Sequence, residues 1–160
     1  MSNSIKLTLL LAIFCLINPV SASETAPAFK VPSAKGMVEL DKLRGQVVYL
    51  DFWASWCTPC RKSFPWMNEM QHKYEKEGLT IVAVNLDKKR DLIDKFLKNT
   101  PADFTIAYDP GGQLAQTYKL VGMPTSYLID RSGQIHETHV GFRKKDKDKL
   151  EAKIQGLLNK

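Results

Sequence analysis

The 160-residue chain is poor in cysteine: it has three, far too few for a small fold held together by a disulfide framework. Histidine is equally scarce. A closed zinc site needs four ligands, and beside the thiols only His72, His136 and His139 could supply them. His136 and His139 stand three apart on an expected strand, which points them to opposite faces, so no metal and no cofactor are expected. One-sided charge is also missing: 25% of residues are charged, with a net charge of +6, a moderate surplus that selects no nucleic acid and no membrane surface. No apolar run reaches the roughly 20 residues of a spanning helix, and there is no repeat or low-complexity tract. With 44% hydrophobic residues spread along the sequence, long disorder is excluded and one compact domain remains.

The first 22 residues read as a secretory signal peptide. Lys6 is a minimal basic start, residues 7–17 form an 11-residue apolar run interrupted by Thr8, and Val20-Ser21-Ala22 resembles a cleavage site. The alternatives are a retained N-terminal anchor, or a lipid on Cys15, where the bulky Phe14 stands in place of a small residue. Removing residues 1–22 takes away Lys6 and Cys15, leaving a charge of +5 and two thiols, Cys57 and Cys60, in the segment Cys-Thr-Pro-Cys. So short a loop adds little to stability as a crosslink. The pair is there for chemistry.

Residues 23–46 read as an extended arm with a small hairpin, and 47–54 as a strand buried on both faces, interrupted by one acid, Asp51. A helix follows from Thr58 with Phe64, Met67, Met70 and Tyr74 on one face; Pro65 interrupts its first half and Gly78 ends it. Next come a strand at 79–86, a helix with Leu92, Ile93, Phe96 and Leu97 inward, a short strand at 104–108, a helix at 114–118, a hairpin of 125–130 with 135–140, and a last helix carrying Leu150, Ile154, Leu157 and Leu158 inward. This order gives an α/β fold with a central mixed sheet and helices on both faces. The Met67 and Met70 pair reads as core, Trp53 as core, Trp66 as a groove wall, and the charge run 143–149 as a solvated face.

Cys57 stands where the buried strand gives way to the helix. Unpaired N–H groups and the positive end of the helix dipole lower a thiol pKa there, which makes Cys57 the nucleophile. Cys60, one turn on, is the resolving thiol. Trp56 flanks the pair, and Pro59 sits in the first turn, where a missing N–H matters least. Flanked by Leu50 and Phe52, Asp51 is desolvated, its pKa is raised, and it is a candidate to carry protons.

The segment Asp51-Phe52-Trp53-Ala54-Ser55-Trp56-Cys57-Thr58-Pro59-Cys60, with Pro65 beyond it, resembles the active-site segment of the thioredoxin superfamily. Val121-Gly122-Met123-Pro124-Thr125 resembles its cis-proline loop, which implies that Met123 and Pro124 lie beside the cysteines and meet an extended substrate. The arm, the extra helix and strand of residues 91–108, and the stretch 124–133 are most similar to the secreted TlpA-like (ResA-like) thiol-disulfide oxidoreductases. The resemblance spans about residues 27–158, giving a signal peptide (1–22) and one thioredoxin-like domain (23–160). Two departures stand out: many TlpA-like proteins have Asn in place of Asp51, and a family glutamate after the second strand has no clear counterpart in Asn85-Leu86-Asp87-Lys88.

The resemblance implies a soluble, monomeric, extracytoplasmic or periplasmic enzyme exchanging disulfides with partner proteins. It implies a reductase, in cytochrome c maturation or cysteine rescue, recharged by a membrane thiol reductase. The alternatives are a disulfide-forming oxidase or a non-enzymatic copper-binding module, although such copper proteins carry a three-residue spacer between the cysteines and a partner His. A thiol peroxidase would carry Thr three residues before its cysteine, where this chain has Ala54.

Overall fold

The computed structural model describes residues 24–160; the expected signal peptide, residues 1–22, lies outside them. The chain runs β1 (Glu24–Thr25), β2 (Lys30–Ser33), β3 (Gly36–Glu39), β4 (Val47–Trp53), α1 (Thr58–Tyr74), β5 (Leu79–Asn85), α2 (Arg90–Asn99), β6 (Thr105–Tyr108), α3 (Gln113–Thr117), β7 (Thr125–Ile129), β8 (Gln134–Val140) and α4 (Lys147–Leu158). Eight strands form one sheet in the order β1-β8-β7-β4-β5-β6-β2-β3. Strands β4, β5 and β6 are parallel, joined by the crossover helices α1 and α2, whereas β7 lies antiparallel to β4 and pairs antiparallel with β8 across a tight hairpin. The sheet is mixed, as the element order requires.

β4 is the centre of the molecule, and all seven of its residues are buried. Its alternating side chains divide the interior into two cores. Val47, Tyr49 and Trp53 pack with α1, α2 and α4, while Val48, Leu50 and Phe52 pack with α3 and the arm through Phe29, Val31 and Leu40. The arm is the expected hairpin: β2 and β3 pair antiparallel, and Ser33 bridges to Ala107 on β6. Thus the 91–108 insertion and the arm's hairpin lie together at one edge of the sheet, while β1, at the start of the arm, pairs with β8 at the other.

α1 begins where Cys57 leaves the extended conformation and caps the helix, with Pro59 in its first turn. Pro65 is accommodated inside the helix. Gly78, at a φ of 100° open to glycine, closes the short turn after α1. The first half of α1 rests on four aromatic rings. Trp53 and Phe64 meet at 4.8 Å between centroids, Phe96 lies 4.7 and 5.0 Å from them, and Phe104 lies 5.2 Å from Phe64. Each such contact adds about 0.5–1.5 kcal/mol to the burial of its rings, and together they fix the strand-to-helix junction that carries the cysteines.

Two expectations need correction. Trp66 is no groove wall: it is buried, edge-on to Tyr49 at 5.6 Å and tilted against Phe142 at the same distance. Its place on α1 directs it to the sheet rather than to the rim. Leu92 does not face inward but stays exposed near the start of α2, where Ile93 and Phe96 alone complete the buried stripe and Leu97 is half-buried. Met67 and Met70 are core residues. Among the described residues no helix is long and apolar enough to cross a membrane.

Candidate active site

Cys57 and Cys60 are joined by a disulfide, with Cα atoms 5.3 Å apart. The pair is asymmetric: Cys57 keeps 4% of its surface, while Cys60 has none. Cys57 N–H donates to the Ala54 carbonyl at 3.0 Å, and its Sγ accepts the Cys60 N–H at 3.3 Å. The sulfur thus fills the capping role that an oxygen has in most helices, in line with donors that have no partner within the first turn. Trp56, immediately before, is 70% exposed and stands beside the pair, and Pro59 is exposed in the first turn.

The Met123–Pro124 peptide is cis. Pro124 is buried and Met123 is half-buried against the core that contains Cys57 and Cys60. Two bonds fix the loop, Gly141 N–H to the Pro124 carbonyl at 2.7 Å and Thr125 Oγ1 to the Gly122 carbonyl at 2.8 Å.

Asp51 lies in β4 opposite Ala83 on β5 and Ser126 on β7. It is buried, and its Oδ2 has no hydrogen-bond partner. Desolvation therefore pushes its carboxyl well above the ordinary carboxylate range. Two residues earlier on the same face, Tyr49 donates its hydroxyl to Ser126 Oγ at 2.8 Å. Burial, and then the Asp51 charge, push that phenol up, against the opposing effect of the Ser126 bond.

The sequence reading missed Asp87. Its carboxylate is buried and accepts three bonds: from the Ser55 N–H at 2.7 Å, the Ser55 hydroxyl at 2.9 Å and Asn85 Nδ2 at 2.8 Å. Asn85 Oδ1 in turn accepts the Asp87 N–H at 2.8 Å. Asp87 thereby ties the end of β5 to the segment entering Cys57. The signal was an acid two residues past the end of β5, in the stretch where the resemblance implies a glutamate.

A family model described as the AhpC/TSA family matches residues 22–138. The thiol-disulfide oxidoreductase ResA of Bacillus cereus (strain ATCC 10987 / NRS 248) is 33% identical over 91% of this chain and 85% of its own length. The chain belongs to the ResA-like thiol-disulfide oxidoreductases of the AhpC/TSA family. Solved structures agree with this membership. A Chlorobium tepidum protein assigned as the thiol:disulfide interchange protein DsbE is 54% identical, superposes with a TM-score of 0.83, and is matched over 85% of this chain and 96% of its own. StoA from Bacillus subtilis, at 27% identity and a TM-score of 0.67, is matched over 79% of this chain and 95% of its own. In this oxidoreductase the Cys57–Cys60 disulfide stands at the head of α1.

Proposed function

We propose that this ResA-like oxidoreductase acts outside the cytoplasm as a reductant of protein disulfides. The observation that carries the exchange chemistry is the asymmetry of the pair: Cys57 keeps a trace of surface and caps α1 through its sulfur, while Cys60 is fully buried. The reduced protein presents Cys57 as thiolate. Its Sγ attacks one sulfur of a substrate disulfide, the substrate S–S bond breaks, and the leaving thiolate takes a proton. Cys60 then attacks Cys57 Sγ, expels the second substrate thiol and forms the intramolecular disulfide. Two electrons pass to the substrate. A dithiol donor must return them, and the family expectation is a membrane thiol reductase; no cofactor enters the cycle.

Asp51 takes the role of proton carrier, because a buried carboxyl on the cysteine side of β4, its pKa raised by desolvation, keeps its proton to higher pH than an exposed one. Trp56, Pro59, Met123 and Pro124 form the substrate side, with the Met123 backbone pairing with an extended segment as an added strand. Residues 1–22 are a cleaved signal peptide, which places the mature start at Ser23 and the enzyme in an oxidising compartment.

Cys57→Ser is expected to abolish disulfide reduction in an insulin-turbidity assay, and Cys60→Ser to accumulate mixed disulfides with partners. Substantial activity in Cys57→Ser would overturn the assignment of the nucleophile. Equilibration with glutathione sets the direction: a potential well below about -200 mV marks a reductase, one near about -120 mV an oxidase. Intact-mass analysis of extracytoplasmic protein tests the mature start.

A further inference from the structure

The two flanks of the disulfide differ in chemistry. Toward the cis-proline loop the exposed residues are apolar: Trp56, Val121 at 84% exposure and Val140, whose Cγ1 lies 3.8 Å from where a side chain on Gly122 would begin. Toward α2 lies a pocket of about 240 Å³ lined by Ser55, Arg61, Leu92, Lys95, Phe96 and Asn99. Two of these residues bracket the redox pair in sequence, since Ser55 is two before Cys57 and Arg61 follows Cys60. The four from α2 recur at intervals of three and four, one continuous helical face.

The pocket has an apolar floor and a cationic rim. Phe96 is buried in the core that holds the cysteines, and Leu92 remains exposed although it is apolar. Arg61 places its guanidinium carbon over the Phe96 ring at 5.3 Å from the centroid. No carboxylate lines the pocket, and no carboxylate among the described residues pairs with Arg61 or Lys95. The nearest acid in the chain's path, Asp87, is sealed behind Ser55 with its oxygens already engaged by Ser55 and Asn85. The remaining acids of α2 are Asp91 and Asp94, and Asp94 is paired with Arg90. Two free cations beside a reactive sulfur, over an apolar floor, are complementary to a carboxylate with an apolar neighbour.

We infer that this pocket receives a Glu or Asp side chain of the substrate protein lying within a few residues of its reactive cysteine, so that the enzyme selects disulfides with acidic flanks. The inference rests on the exchange reading above and names its substrate class. The apolar flank takes the body of the bound segment, and the α2 pocket fixes its register: Arg61 offers a two-pronged contact, and Lys95 a point charge. The attraction also steers encounter, so it acts on kcat/KM and weakens with salt.

Three disulfide-containing peptides of identical length, with Glu, Gln or Lys placed within three residues of the attacked cysteine on either side, test this against the protein pre-reduced with dithiothreitol. The Glu peptide is expected to be reduced about tenfold faster in kcat/KM than the Lys peptide at low salt, one charge-assisted hydrogen bond's worth, with the ratio shrinking at high salt. Lys95→Glu is expected to reverse the order and Arg61→Gln to compress it. Taking the ratio within each variant cancels any general loss of activity. Equal rates for the three peptides, or an unchanged ratio in both variants, would overturn the pocket assignment and leave the exchange chemistry standing. A parent protein that reduces none of them would overturn the exchange reading, and the pocket with it.

Discussion

The two faces of β4 both bury aromatic rings, more of them toward α1, and handle polar atoms in opposite ways. On the face toward α3 and the arm, each deeply placed hydroxyl has a partner: Tyr127 donates to the Tyr118 carbonyl at 2.6 Å, and Tyr118 to the Pro27 carbonyl at 2.8 Å. On the face toward α1 lie all four buried side-chain atoms, among the described residues, that lack a hydrogen bond: Asp51 Oδ2, Trp53 Nε1, Trp66 Nε1 and His139 Nε2, the last facing Asp146 Oδ2 at 3.6 Å. His139 belongs to this face because it pairs with Ser126, which pairs with Asp51. Orphaned buried groups cost about 1–3 kcal/mol each. The cysteine face tolerates them and the other does not, so one core is built for stability and the other carries the chemistry at some expense of it.

Truncating Phe52 should separate the two most sharply. It is fully buried on the satisfied face, against Tyr118 and Tyr127, and Phe52→Ala is expected to lose about 3–5 kcal/mol in denaturant unfolding. The exchange rate of the folded fraction should hold within about twofold. A much larger loss of rate would mean that the two cores do not act independently. Asp51→Asn should do the reverse, lowering the exchange rate at neutral pH by about 10²-fold, the lower range for a general acid or base. Its effect on stability has a definite sign. A carboxyl whose folded pKa is raised stabilises fully only below its unfolded value near about 3.9, and that contribution is lost as pH rises toward the folded pKa. The variant should therefore gain on the parent as pH rises from 4, and thermal melts across pH would detect it.

Asp87→Ala removes the acceptor of three bonds, two of them from Ser55, and is expected to cost about 1.5–3 kcal/mol and to speed amide exchange at Ser55 and Trp56. Tyr127→Phe is the smallest test, at about 1 kcal/mol, with the redox potential unchanged.

Most of the fold could be read from periodicity. The continuous apolar run of β4 and the helical spacing of Phe64, Met67, Met70 and Tyr74 leave few alternatives, because period and burial reinforce each other there. The strand-to-helix junction at Cys57 and the cis bond before Pro124 were also legible, because both are local backbone features with a sequence signature. Three things escaped. The side chain of Trp66 sits on a helix whose rim and core positions differ by one residue, so spacing alone did not decide its direction. Leu92 is apolar but exposed, and hydropathy reads it as core. Asp87 acts across 32 residues of sequence on Ser55, a tertiary bond with no local pattern.

The capping of α1 by Cys57 joins two events that are separate in most enzymes. In the proposed cycle the atom that holds the first turn is also the atom that changes partner, so every passage of electrons would alter the acceptor seen by the Cys60 amide. Disulfide, thiolate and mixed disulfide offer that amide different electron densities at the same place. The Cys60 N–H is thus a resident probe of redox state: its proton resonance and exchange rate should step between discrete values as the cycle turns, without any added label.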